Sequence, residues 1–429
     1  MYFKKNVMIA ALVNIFLASS VLGSIPAWDM TFGRADDESA GSVQQTSDGG
    51  YIFAGTTSTY GWGERDAWMV KTDYKGTRLW DTAFGGKYYD AATSVQQTSD
   101  GGYIVAGTTF TYGAGGSDAW LIKTDANGNK VWDRTFGGAG NESASSVQQT
   151  PDGGYVIAGT TFTYGAGGSD AWLLKTDYKG SRLWDRTFGG AGNESASSVQ
   201  QTPDGGYVIA GTTSTYGAGG SDAWLIKTDS NGARLWDKTF GGPGNESASS
   251  VQRTSDGGYV TAGTTFTYGA GGSDAWLIKT DANGTRFWDR TFGGADNDSA
   301  SSVQQTSDGG YVIAGTTFTY GAGGSDVWLI KTDHRGNRLW DKTFGGTDNE
   351  SAALVKQSKE GGYVIAGTTS SYGAGGTDAW LLYVLDETST TAPSAAANKS
   401  TPGFDIITTT MGLLAAICML DRLKPRTKQ

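Results

Sequence analysis

A Trp-Asp pair recurs along this chain with a constant step. Trp28, Trp80, Trp132, Trp184, Trp236, Trp288 and Trp340 are spaced 52 residues apart. A second tryptophan keeps the same step at Trp68, Trp120, Trp172, Trp224, Trp276, Trp328 and Trp380. Self-similarity at a fixed period marks a repeat architecture, in which one small unit cannot bury its apolar surface alone and stacks on its neighbours.

The copy beginning at Ser143 shows what one unit must be. Residues 143–150, SASSVQQT, alternate polar and apolar. Pro151-Asp152-Gly153-Gly154 is turn chemistry: Asp bonds its own backbone and Gly supplies positive φ. Residues 155–162, YVIAGTTF, are β-branched and aromatic, which predicts a strand. A Gly-rich loop over 163–169 follows, then a third strand at 170–176, DAWLLKT. A tight turn at Asp177-Tyr178-Lys179-Gly180 leads to a fourth strand over 182–188. No segment carries a helical period of useful length.

Four antiparallel strands joined by short turns make one twisted sheet with two apolar faces. Packing such sheets around an axis buries both faces and leaves only short edges. The expected fold is therefore all-β, a seven-bladed β-propeller spanning residues 28–386. A parallel β-solenoid fits less well, because its coils are shorter and lack tight hairpins. The chain offers a lone fourth strand first, at 28–32, and a lone third strand last. Pairing the two would close the ring.

Glycine, 67 of 429 residues, is accounted for by the turns and loops of each blade. The ends read differently from the repeats. Lys4 and Lys5, an apolar run over 7–22 and Gly23-Ser24 read as a secretory signal peptide over 1–24. Residues 387–401, rich in Ser, Thr, Ala and Pro, read as a stalk. An apolar run over 406–420 with Arg422, Lys424, Arg426 and Lys428 behind it reads as a membrane segment within 402–429. Cys418 is the one cysteine, so the repeats have no disulfide.

The tail Thr401-Pro402-Gly403-Phe404, its apolar run and its basic end resemble the PGF-type C-terminal sorting signals of archaeal surface proteins. That resemblance implies processing by an archaeosortase and attachment of a lipid. The repeats, with GGYIVAGTT, DAWLIKTD and a Trp in the fourth strand, resemble propeller repeats of archaeal surface proteins. The expected location is extracellular, anchored at the cell surface by the C-terminal segment or an attached lipid.

Net charge is −10, and the terminal segments hold more basic than acidic residues, so the repeats are more acidic still. That argues against nucleic acid as a partner, since such binding needs clustered Lys and Arg. The arrangement Asp177, Gly180 and Trp184 resembles the tryptophan-docking motif of quinoprotein propellers. By that resemblance Trp184 stacks between blades and Asp177 caps a turn. No quinone site is implied.

In an up-and-down blade the second-to-third-strand loops and the blade-to-blade connections share one face, and the tight turns share the other. The longer loops are where function is expected. Three sets of residues on that face are candidates. Tyr60, Tyr112, Tyr164, Tyr216, Tyr268, Tyr320 and Tyr372, each followed by Gly, are ligand-binding candidates able to stack on a sugar or a protein surface. They equally suit packing on the loop itself. Glu38, Asp90, Glu142, Glu194, Glu246, Asp298 and Glu350 precede the first strands. They form either a ring at the channel mouth that attracts calcium or acceptors for loop amides. A further set, Asp66 and its equivalents Asp118, Asp170, Asp222, Asp274, Asp326 and Asp378, suits capping of the Gly-rich loop. Sequons place glycosylation candidates at Asn141, Asn193, Asn245, Asn283, Asn297, Asn349 and Asn398.

Enzymatic chemistry finds little footing. His334 is the one histidine and falls in a turn. Acid–base catalysis needs carboxylates in unlike environments, and near-identical copies give like ones. Residues unique to the channel would support a hydrolase or lyase, and the copies suggest none. The sequence thus predicts a monomeric binding or structural module for surface proteins or glycans, an adhesion or surface-layer component. A multivalent lectin is the alternative.

Overall fold

The computed structural model describes residues 27–387. The expected signal peptide, almost all of the stalk, the membrane segment, Asn398 and Cys418 lie outside the described residues. The chain divides into two units, Met1–Asp386 and Glu387–Gln429, and the first holds every strand described. No helix of the described residues is long and apolar enough to cross a membrane.

The described residues form seven four-stranded antiparallel sheets. The chain is a seven-bladed β-propeller. In the blade examined above the strands run Glu142–Gln149, Tyr155–Thr161, Asp170–Thr176 and Arg182–Phe188, within a residue of the expected bounds. The turns explain this precision. Gly153 has φ 80° and Gly180 has φ 77°, values only glycine adopts cheaply. Asp177 Oδ1 accepts from the amides of Lys179 and Ser181 at 2.9 and 2.8 Å. The first strand carries a bulge between Ala144 and Ser146, which adds twist where the blade narrows toward the axis.

The last sheet is completed from the other end of the domain. Trp28–Phe32 pairs antiparallel with Asp378–Val384, Trp28 opposite Tyr383 and Phe32 opposite Ala379. The chemistry of the other blades is reproduced across this seam. In each blade the third-strand Trp donates its indole N–H to the Asp of the fourth-strand Trp-Asp pair, as Trp172 does to Asp185 at 3.2 Å. In the closing blade Trp380 donates to Asp29 at 3.1 Å.

Seven apolar clusters lie between blades. One joins Val156, Ala158, Leu173 and Phe188 of one sheet to Tyr207, Ile209 and Trp224 of the next, with Trp184 packed on it. Trp184 lies 5.9 Å, centroid to centroid, from Tyr207 of the following blade. A methyl carbon on Gly232 of that blade would fall 2.7 Å from the Trp184 ring, so the docking indole needs glycine opposite it. The third strands of the first six blades also carry a buried lysine one residue before their end. Lys175 bonds Asp152 in the first turn at 2.9 Å and the Thr176 carbonyl at 2.9 Å. The seventh blade changes both partners together: Tyr383 replaces the lysine and stacks on Trp28 at 5.4 Å, and Glu360 replaces the aspartate and accepts from Gln45 of the first blade at 2.9 Å.

Candidate functional site

The second-to-third-strand loops and the blade connections meet on one face, as the topology requires. The amide of Gly168 donates to the Gly192 carbonyl at 3.0 Å, and that of Glu194 to the Ser169 carbonyl at 2.7 Å. What organises this face is the carboxylate that opens each first strand.

Those carboxylates do not ring the channel mouth. Glu38, Asp90, Glu142, Glu194, Glu246, Asp298 and Glu350 are all buried. Glu142 Oε1 accepts from the Thr161 hydroxyl at 3.1 Å and the Thr163 amide at 3.0 Å, while Oε2 accepts from the Gly138 amide at 2.8 Å. One side chain thereby joins its own loop to the incoming connection. Asp90, one methylene shorter, uses Oδ2 for both the Gly86 amide and the Thr111 hydroxyl, at 2.9 and 2.7 Å. With their oxygens turned to loop amides and hydroxyls, these groups take the role of loop acceptors, the alternative to a calcium ring. No three metal-ligating side chains converge among the described residues.

The third-strand aspartates cap the Gly-rich loops: Asp170 Oδ2 accepts from the Ala166 amide at 3.0 Å. Each also faces the carboxylate of the next blade. A methyl carbon on Gly189 would fall 2.1 Å from Asp170 Oδ1 and 2.6 Å from Glu194 Oε2. Burial and then the neighbouring carboxylate raise the Asp170 pKa against the pull of the Ala166 amide. Asp326, facing Glu350, is pushed up to about 6, by burial first.

The tyrosines sit over the buried tryptophans of their own blades. Tyr60 stacks on Trp68 at 5.3 Å, and Tyr164 tilts on Trp172 at 5.9 Å. The Tyr164 hydroxyl donates to the Gly137 carbonyl of the preceding connection at 2.7 Å. Tyr112, Tyr216, Tyr268, Tyr320 and Tyr372 make the same bond, and Arg34 covers Tyr60 instead at 4.7 Å. One ring face and the hydroxyl are thus occupied, and the remaining surface is partly exposed.

Beside them stands a set of residues that the sequence reading did not single out. Phe110, Phe162, Phe266 and Phe318 follow the second strands directly and are 48–57% exposed. Their backbones are held, as in the bond from the Phe162 amide to the Asn141 carbonyl at 3.1 Å. Trp62, in the first blade's loop, is 81% exposed. The signal was present in the sequence: Phe alternates with Ser58, Ser214 and Ser370 at one position of otherwise like copies.

The sequon asparagines Asn141, Asn193, Asn245, Asn297 and Asn349 lie exposed on this face, and Asn283 in a tight turn. Asn193 Oδ1 accepts from the Ser169 amide at 3.1 Å, which leaves Nδ2, the nitrogen a glycan would take, without that duty. His334 is exposed in its turn.

The channel is lined by the first strands. Here the expectation of seven like environments fails. Leu354 and Lys356 stand where the other six blades all carry serine and glutamine, as in Ser146 and Gln148.

No family model matches the sequence. The chain is 28% identical over 249 residues to the regulatory protein FlaEY of Caulobacter vibrioides, across 50% of this chain and 25% of FlaEY. The match therefore spans a quarter of that relative's length. Among solved structures, the Neurospora crassa Pan2 WD40 domain is similar at 12% identity and a TM-score of 0.49, over 80% of this chain and 89% of that one. BBS1N in complex with ARL6DN gives 10% and 0.49, over 85% and 97%. YCF48 bound to D1 peptide gives 10% and 0.47, over 86% and 100%.

Proposed function

We propose that this propeller is an exported cell-surface binding module, with adhesion or surface-layer association as its role, and that it takes its partner on the face bearing the Phe and Tyr loops. The observation that carries the reading is the exposed aromatic set Trp62, Phe110, Phe162, Phe266 and Phe318 on loops fixed by buried carboxylates. Large apolar side chains left in water on a held backbone gain most by docking, and rigid aromatic anchors lose little entropy on binding. Repetition around the ring offers several like contacts, so affinity grows through avidity. The leader-like start and the resemblance of the tail to surface-sorting signals support the location.

Serine stands at the Phe position in three blades, so replacing all four Phe by Ser perturbs the face without a new residue type. Labelled full chain and the fourfold variant would be compared for binding to intact source cells. Loss of binding in the variant supports the proposal, and equal binding overturns it. The half-open tyrosine rings also fit a sugar. Glycan-array binding that Tyr164→Ala weakens would replace the protein partner by a glycan. The intact mass of the native protein reports both termini, lipid and glycans together.

A further inference from the structure

We infer that the central channel is a binding site for a small oxyanion, a carboxylate or a phosphate, held by the Lys356 ammonium within a ring of glutamine amides. The inference stands on the channel wall and is independent of the loop face.

The wall is made so that its oxygens are consumed. Gln44 Oε1 accepts from the backbone amide of Gln97 in the next blade at 2.6 Å. The same bond runs from Gln149 to Gln96 and from Gln201 to Gln148, and ends with Gln357 to Gln304 at 2.8 Å. A backbone N–H bonds only an acceptor, so each side-chain amide is oriented, and its Nε2 with two N–H groups is the end left over. Among the described residues these six Nε2 atoms have no hydrogen-bond acceptor. The layer beside them follows the same rule. Ser42 Oγ accepts from the Val95 amide at 3.2 Å, and Ser302 Oγ from the Val355 amide at 3.2 Å. The serine hydroxyl hydrogens are then what remains to offer.

The seventh blade supplies the charge. Lys356 lines the cavity at the glutamine position, and no ion pair or hydrogen bond of its ammonium exists among the described residues. Desolvation lowers its pKa, with no charged neighbour contributing. Lys356 is half-buried, so its ammonium is partly desolvated without a counter-ion, and the nearby wall has donors but no carboxylate. The cavity, of about 220 Å³, is open to solvent and admits a group of phosphate or malonate size. Free amide N–H groups and one ammonium on a wall without a carboxylate suit an oxyanion.

The test is isothermal titration of the full chain with phosphate and with malonate, at ionic strength balanced by sodium chloride. Lys356→Gln installs the residue of the other six blades and so keeps the fold. Lys359→Gln, exposed in the following turn, controls for charge. The expected result is one site per chain in wild type and Lys359→Gln, and a loss of about tenfold or more in affinity for Lys356→Gln. Affinity should also fall as pH rises and the ammonium deprotonates. Tighter phosphate than malonate, or the reverse, would identify the preferred oxyanion. Unchanged binding in Lys356→Gln, or no binding of either anion by wild type, overturns the inference.

Discussion

Replacing Asp326 by Asn should stabilise this propeller at pH 7 and remove part of its pH dependence. Asp326 is buried, one oxygen accepts from the Ala322 amide at 3.0 Å, and the other has no hydrogen-bond partner. Across Gly345 lies the Glu350 carboxylate, which also accepts from the Gly346 amide. Burial, then the Glu350 charge, push the Asp326 pKa from 3.8 up to about 6. The folded chain thus binds this proton more tightly than the unfolded chain. The resulting stability is fully present below the unfolded pKa near 4 and is lost as pH rises through about 6. At about 1.4 kcal/mol per pKa unit the shift corresponds to roughly 3 kcal/mol, and screening by water at the loop reduces it, giving about 1–3 kcal/mol. Asn keeps the acceptor for Ala322 and presents N–H toward Glu350 without charge. Urea midpoints followed by tryptophan fluorescence at pH 7 and pH 4.5 measure the effect. The variant should exceed wild type at pH 7 and lose that advantage at pH 4.5. A variant that is equally destabilised at both values would refute the reasoning.

Other perturbations test other parts of the blade. The turn aspartates behave oppositely to Asp326: Asp48, Asp204 and Asp256 are held down at about 2 by threonine, lysine and backbone hydrogen bonds that outweigh burial. Their contribution is present above pH 4 and lost as pH falls through about 2, so wild-type stability should peak near pH 4–5 in a midpoint-against-pH series. Lys175→Met removes the bonds to Asp152 and to the Thr176 carbonyl, and should cost about 1–2 kcal/mol in urea denaturation, because Asp152 is largely exposed. Gly189→Ala would drive a methyl group onto Asp170 and Glu194 and should cost about 2 kcal/mol or more; Gly153→Ala, in open space except for Tyr178 at 3.8 Å, should cost mainly its positive-φ strain, about 1 kcal/mol.

The fold was legible because the repeat prints the same hydrogen-bonding turns seven times. Asp177, Gly180 and Trp184 carry their local geometry in their spacing, and the pairing of 28–32 with the last blade follows from counting strands. The carboxylates were harder. Glu142 precedes a strand, which suits either a solvated rim or a buried acceptor. Its partners, Thr161 and Thr163, lie at the end of the second strand and in the loop after it, some twenty residues on, and only the fold brings them within reach. Tyr164 was read as able to stack or to pack, and the Trp beneath it and the carbonyl beyond it show a restrained ring. Lys356 and the exposed phenylalanines were missed for one reason. A reading of what the copies share passes over the positions where the copies differ.

The account depends on a closed ring in which residues 28–32 complete the seventh sheet. Hydrogen exchange by mass spectrometry measures that seam directly. The amides of 28–32 and 378–384 should exchange as slowly as those of an interior fourth and third strand, such as 182–188 and 170–176. Exchange of 28–32 at the rate of an unstructured segment would contradict the closed ring and the shared loop face built on it.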